Sequence, residues 1–342
     1  MSLREALEFA VRGEEVAAEL LEAAFGEIMD GKASEAAIAG LLIALRTKGE
    51  TVGEIVATAR ALRARADTAP LARADAIDTC GTGGDGAGTF NVSTAAAFVV
   101  AGAGVPVAKH GNRAASSRSG SADVLEALGV RVDLPIAEAA RVLDDVGIAF
   151  FFARRAHPAM RFVAPVRQEL GVRTLMNCLG PLLNPVGVRR QLVGVYERGL
   201  VERLAEALGA LGSERALVVH GSDGLDELTT TGPSWAAHWR KGAVETLEID
   251  PQALGIAVAA PEALRGGDAA QNAGILRRVL DGSEGPERDL VLLNAAAALW
   301  VADAAGDLKE GLVRARESVD SGAARERLAA LVRASAEGGA AS

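Results

Sequence analysis

Three blocks of this chain gather the residue types that hold anions and cations: DTCGTGGDGAGTFNVST from Asp78 to Thr94, KHGNRAASSRSGSADVLEALG from Lys109 to Gly129, and HGSDGLDELTTTG from His220 to Gly232. In the first, glycines and short hydroxyl side chains expose backbone N–H groups and let a ligand approach the main chain closely. The block lies between a strand-like run and a helix-like run, so its free N–H groups and the positive helix end would face an anion such as phosphate or pyrophosphate. A tight glycine turn capped by Ser93 and Thr94 is the plainer alternative. Gly81, Gly83 and Gly86 fit GxGxxG, yet a dinucleotide fold needs an acid about 20 positions on to hold the ribose. There VPVAKH ends in Lys109 and His110, and the nucleotide P-loop pattern is absent from this block.

The second block offers Lys109 and Arg113 for charge and Asn112, Ser116, Ser117, Ser119 and Ser121 as neutral donors, ahead of a helix expected to start at Ala122 or Asp123. A polyanion bearing sugar hydroxyls suits that mixture; a solvated basic loop is the alternative. The third block places the adjacent acids Asp226 and Glu227 beyond the strand-like ALVVHG, where ligands of open α/β sheets collect. Two carboxylates completed by substrate phosphates are what magnesium prefers to a closed protein cage. Taken alone the pair reads as a solvated turn; beside two phosphate-like loops it reads as a metal site. A second pair, Asp144 and Asp145, ends a helical pattern and reads as surface. In HPAMRFVAPVRQELGVRT, helical spacing puts Arg167 on a different face from some of His157, Arg161 and Arg173, so the four need not act together. For His157, a helix start and a substrate contact are equally supported.

The elements that must position these blocks are legible. From Leu3 to about Arg65 the pattern is helical, with Ser34 as a cap and Thr51–Glu54 in capping-box spacing. A boundary is expected at Pro70. From Ala76 the runs AIDTC, VPVAKH, IAFFFA, RQLVGV and ALVVHG alternate with helical patterns, which predicts crossover units and a mostly parallel sheet. The fold class is therefore α/β: a small N-terminal all-helical domain over residues 1–70, and a larger α/β domain over 75–335 with a central mostly parallel sheet. Helices from about 157–180 are expected to pack on the helical domain.

The 342 residues are 49% hydrophobic and 24% charged, the mix of a globular protein. No apolar run reaches the roughly 18 residues of a spanning helix, and the acidic, amphipathic start is unlike a secretory signal; a cytoplasmic location is expected. Cys80 and Cys178, without a CxxC pair, read as free thiols. A net charge of −9 argues against nucleic acid as the main partner.

In this order, GTGGD, NVST, KHGNRAASS, GSADVLEALG, RQELGVRT and GLDELT closely resemble the anthranilate phosphoribosyltransferase family of the tryptophan pathway. The resemblance runs nearly the whole chain. It implies a helical domain hinged to an α/β domain, usually in a homodimer. The reaction it implies moves the phosphoribosyl group of phosphoribosyl pyrophosphate (PRPP) to the amine of anthranilate. It further implies that PRPP is held by Gly81, Gly84, Asp85, Thr89, Asn91, Val92, Ser93 and Thr94, together with Lys109, His110, Gly111, Asn112, Arg113, Ala114, Ala115, Ser116, Ser117 and Ser121. Ser93, Asp226 and Glu227 would ligate Mg2+; Gly81, Asn112 and Arg167 would contact anthranilate, with His110 and His157 as weaker candidates. Lys109, Asp226 and Glu227 would carry the catalysis. An aromatic amine is already nucleophilic, so the expected catalysts are positioning and charge aimed at the leaving pyrophosphate. Two alternatives stay open: a pyrimidine nucleoside phosphorylase on the same fold, and a non-enzymatic nucleic-acid-binding relative.

Overall fold

Helix caps set the opening segment. A computed structural model describes residues 2–114 and 118–337, and its first four helices are Ser2–Val11, Ala18–Met29, Glu35–Lys48 and Val52–Arg63. The Ala37 N–H donates to Ser34 Oγ, and Thr51 with Glu54 closes a full capping box. Glu54 does more than cap. Fully buried, it also accepts from Lys48 Nζ at 2.8 Å and from the Val16 N–H at 3.0 Å, tying two inter-helix junctions to one carboxylate. Phe25, Leu41, Leu42, Leu45 and Ile55 fill the space between the helices.

Seven strands follow: β1 (Ile77–Gly81), β2 (Val107–Gly111), β3 (Ile148–Phe152), β4 (Arg190–Gly194), β5 (Arg215–Gly221), β6 (Ser234–Arg240) and β7 (Ala243–Ile249). Their order is β3-β2-β1-β4-β5-β6-β7. The first five are parallel and are the five apolar runs read from the sequence. The α/β class with a mostly parallel sheet is thus observed. The antiparallel β6–β7 hairpin was not foreseen. SWAAHWR mixes charge with aromatics, and AVETLEI alternates towards an exposed edge, so neither reads as a buried run. Lys241 and Gly242, both at positive φ (52° and 80°), make the turn, as two-residue hairpin loops require.

Because β2 and β3 lie on one side of β1 and β4 on the other, the connections reverse between β1 and β4. A crevice opens at such a switch point, at the carboxyl ends of the strands. The sheet is covered on both faces. Leu192, Leu217 and Val219 point into a core with the helices Val92–Gly102 and Pro286–Val301. Val193, Val218 and Ala237 point the other way, into a core shared with the opening helices through the helix Val201–Ala210. Val163, Val166, Leu175 and Leu182, from the helix-rich stretch after β3, join that second core.

Leu204, with no exposed surface, sits at that junction. Leu204→Ala is expected to cost about 2–5 kcal/mol by transfer and cavity. With one core spanning both parts, unfolding followed by tryptophan fluorescence, with Trp235 and Trp239 on β6, and by helical circular dichroism should shift together. Separate transitions would contradict a shared core.

Candidate active site

β1 and β4 both end in glycine, and the reason lies above them. A Cβ at Gly81 would lie 2.6 Å from Asp226 Oδ2, and one at Gly194 would overlap the Asp226 carbonyl. The loop after β5 therefore passes directly over the switch point, bringing Asp226 and Glu227 to the mouth of the crevice. There the Gly83 N–H donates to Asp226 Oδ2 at 2.7 Å. At the N-terminus of the helix Val92–Gly102, the Ser93 N–H donates to Glu227 Oε1 at 3.1 Å. Gly83, Gly84, Gly86 and Gly88 all hold φ between 66° and 76°, a backbone that side-chain-bearing residues rarely adopt. The glycine loop thus wraps the acid pair.

Lys109 rises from β2, almost fully buried. Its Nζ donates to the Thr79 carbonyl and reaches Ser93 Oγ at 3.4 Å. Burial pushes Glu227 up to about 7 against the attraction of Lys109. Burial, then Glu227 and Asp85 as like charges, hold Asp226 well above the carboxylate range. Three acids facing one lysine leave negative charge in excess, which favours a cation. Among the described residues no three or more His, Cys, Asp and Glu side chains form a cage for one. Two carboxylates and the Ser93 hydroxyl do fit magnesium, which takes its remaining ligands from substrate phosphates and water.

Beneath the second block, Asp78 is fully buried. Its Oδ1 accepts the His110 N–H at 3.1 Å and its Oδ2 accepts Asn184 Nδ2 at 2.9 Å. Burial, partly offset by Lys109, raises it to about 6. His110 Nδ1 lies 3.2 Å from the Gly180 carbonyl. A carbonyl only accepts, so Nδ1 carries the proton and Nε2 presents a lone pair, without a partner among the described residues. Burial keeps this ring neutral, lowering it to about 3. His157 is set by the same logic through Nε2 and the Leu183 carbonyl at 2.8 Å, its ring 5.5 Å from that of His110. It also precedes the short helix Pro158–Phe162, which meets the helix-start reading.

The remaining candidates divide. Gly84, Asp85 and Thr89 lie along the glycine loop, Thr89 bridging to Arg265. Val92 is buried, and Thr94 Oγ1 is buried with no partner among the described residues. Asn91 links the second block to a later helix: its Nδ2 donates to the Ser119 carbonyl and its Oδ1 accepts Asn272 Nδ2. Arg113, expected to supply charge to a polyanion, pairs with Asp123 at 3.0 Å and Glu126 at 2.6 Å. Asp123 also accepts the Ala114 and Gly120 N–H groups, so the helix starts at Ser121 rather than at Ala122 or Asp123. Ser121 Oγ donates to the Asn112 carbonyl, and Gly111 leaves room for that hydroxyl. Ala115, Ser116 and Ser117 lie outside the described residues. Arg167 is half-buried on the helix Ala164–Leu170, its guanidinium lowered by burial. Arg173 donates to the Gly84 carbonyl and stacks 4.2 Å over Tyr196, reaching the glycine loop, whereas Arg161 stacks on Phe162. Asp144 and Asp145 sit at the opposite, amino end of the sheet with Arg73 and Arg327. Sequence reasoning missed Gly194, Asp78, Asn184 and Asn272. Only Gly194 had a signal, a strand run ending in glycine like β1.

Residues 4–66 match the glycosyl transferase family helical bundle domain and residues 73–325 its a/b domain. The anthranilate phosphoribosyltransferase of Rubrobacter xylanophilus is 55% identical over 334 residues, 97% of each chain. That of Rhodospirillum rubrum is 57% identical over 309 residues, 90% of this chain and 89% of the other. The crystal structure of the Thermus thermophilus anthranilate phosphoribosyltransferase superposes with a TM-score of 0.92 at 45% identity, covering 96% of this chain and 99% of that one. The Saccharomyces cerevisiae enzyme in complex with PRPP and Mg gives 0.89 at 28% identity, covering 98% of both. These relatives favour neither the phosphorylase nor the nucleic-acid-binding alternative. With its glycine-ended switch point, acid pair and near-complete match to these relatives, the chain belongs to the anthranilate phosphoribosyltransferases of the glycosyl transferase family.

Proposed function

We propose that this chain transfers the phosphoribosyl group of PRPP to the amine of anthranilate, giving N-(5-phosphoribosyl)anthranilate and pyrophosphate, with Asp226 and Glu227 holding Mg2+. The observation that carries this reading is the acid pair bonded to the Gly83 and Ser93 N–H groups over the β1–β4 crevice. A donor with a pyrophosphate tail and ribose hydroxyls meets glycine-loop N–H groups, the positive helix end and Lys109 there. When bound, magnesium neutralises the pyrophosphate. The bond from ribose C1 to the pyrophosphate oxygen breaks with its electron pair leaving on that oxygen. The amine nitrogen bonds to C1 from the opposite face and then loses its proton to solvent. Lys109, itself buried, stabilises the departing charge. On the acceptor side, Arg167 suits the anthranilate carboxylate as a planar fork. His110, its Nδ1–H spent on Gly180, offers the amine an acceptor at Nε2. No helix among the described residues is long and apolar enough to cross a membrane; the reading includes a cytoplasmic homodimer.

The test is the loss of anthranilate fluorescence on adding enzyme, PRPP and magnesium, with a chelator control and a nucleoside-plus-phosphate control. Magnesium-dependent loss is expected. Nucleoside cleavage in phosphate instead would overturn the assignment in favour of a phosphorylase.

Arg167→Lys keeps the charge and removes the fork. Steady-state kinetics should show the anthranilate KM raised about tenfold or more, with the PRPP KM held within about twofold. An equal rise in both would place Arg167 elsewhere.

The acids also predict a pH dependence. Glu227 is raised from 4.5 to about 7 in the folded chain, so the folded state binds more protons than the unfolded. Its contribution to stability is complete below pH 4.5 and is lost as pH rises through about 7. Holding a divalent cation requires both carboxylates ionised. The thermal stabilisation by magnesium with PRPP should therefore be larger at pH 8 than at pH 6. Equal stabilisation at both would separate the cation from these acids.

A further inference from the structure

Asn294 stands in the middle of the helix Pro286–Val301 with no exposed surface, an expensive place for an amide unless every polar atom is matched. It is matched by one residue of the acid loop. The Leu228 N–H donates to Asn294 Oδ1 at 3.0 Å, while Asn294 Nδ2 donates to the Leu228 carbonyl and to the Leu290 carbonyl, each at 2.9 Å. The amide has one orientation only: turned over, its NH2 would face an N–H and its oxygen two carbonyls.

Leu228 follows Glu227 directly, in a stretch belonging to neither helix nor strand, and is itself fully buried. Its peptide groups cannot turn to water, so they need a partner from elsewhere. Asn294 supplies what a neighbouring strand would, gripping the peptide planes on either side of Leu228. Asp223 shapes the loop further, accepting from Thr229 and Thr231 hydroxyls at 2.7 and 2.8 Å. Gly194 leaves the space beneath.

We propose that Asn294 is a positioning residue for metal-dependent donor binding: by clamping both peptide groups of Leu228 it fixes where Glu227 presents its carboxylate at the crevice. This rests on the reading of Asp226 and Glu227 as the magnesium-holding pair. Asn294 touches no substrate; it acts through the backbone.

Asn294→Asp keeps size and the acceptor for the Leu228 N–H but sets an oxygen against two carbonyls. Asn294→Leu keeps volume and removes both functions. Leu299→Ala, fully buried five residues further along the same helix, towards the end that meets Arg190 at the start of β4, controls for lost stability alone. Mn2+ binding to the protein in the presence of PRPP is measured by electron paramagnetic resonance, beside steady-state kinetics in magnesium. Both Asn294 variants should bind Mn2+ about tenfold or more weakly, the range seen when a residue that orients a metal ligand is lost. Their apparent KM for magnesium should rise in step, with the anthranilate KM at saturating magnesium unchanged. Leu299→Ala should lower thermal stability and leave Mn2+ binding as in the parent. The proposal is overturned if the Asn294 variants bind Mn2+ like the parent, or if Leu299→Ala weakens it as much as they do. A parent chain that binds no Mn2+ with PRPP overturns the metal reading itself, a result distinct from either.

Discussion

The active centre depends on two strand ends without side chains. At the β1–β4 switch point, Gly81 and Gly194 leave just enough room for the loop after β5 to cross the crevice with Asp226 and Glu227 at its apex. A parallel sheet opens its crevice where strand order reverses, but an open crevice is not yet a site. The crossing loop makes it one, because it sets two carboxylates against the glycine loop after β1 and the helix N-terminus after it. Any side chain at Gly194 would displace the Asp226 backbone.

That geometry concentrates charge the fold does not balance. Asp85, Asp226 and Glu227 face one buried lysine, and burial holds the pair towards its protonated form. A chain that needed only stability would gain by replacing such acids with apolar residues. Keeping them is consistent with a site completed by its substrate, whose phosphates bring the negative charge that a shared cation joins to these acids. The histidines follow the opposite rule: His110 and His157 are fixed by carbonyls and kept neutral. Neutral imidazoles thus stand on the His110 side of the crevice, apart from the acids gathered at the loop after β5.

How much of this could be read from the sequence follows from the range of each interaction. The five parallel strands are buried on both faces and so appear as apolar runs, and the Thr51–Glu54 cap is a local pattern. The phosphate-like loops and the acid pair announce themselves through residue types confined to a few positions. The hairpin β6–β7 is different, because its edge strand alternates with exposed residues and its partner carries Trp, His and Arg. Long-range pairings are silent in the sequence. Arg113 reads as a phosphate-seeking charge, and its pairing with Glu126 on the helix after the loop shows only in the structure. That Asn91 also meets Asn272, 181 positions later, through its amide oxygen has no trace in the local pattern. Asp78, inside the quoted glycine block, shows its task only once Asn184 and the His110 N–H meet on its carboxylate.

The central claim is that donor and cation meet at the β1–β4 mouth, between the glycine loop and the Asp226–Glu227 apex. A crystal structure of the chain with magnesium and PRPP tests it directly. The account predicts the cation on the Asp226 and Glu227 carboxylates, with pyrophosphate against the glycine loop and the helix start at Val92 and Ser93. Pyrophosphate lodged at the amino end of the sheet, beside Arg73 and Arg327, or a cation touching neither acid, would contradict it.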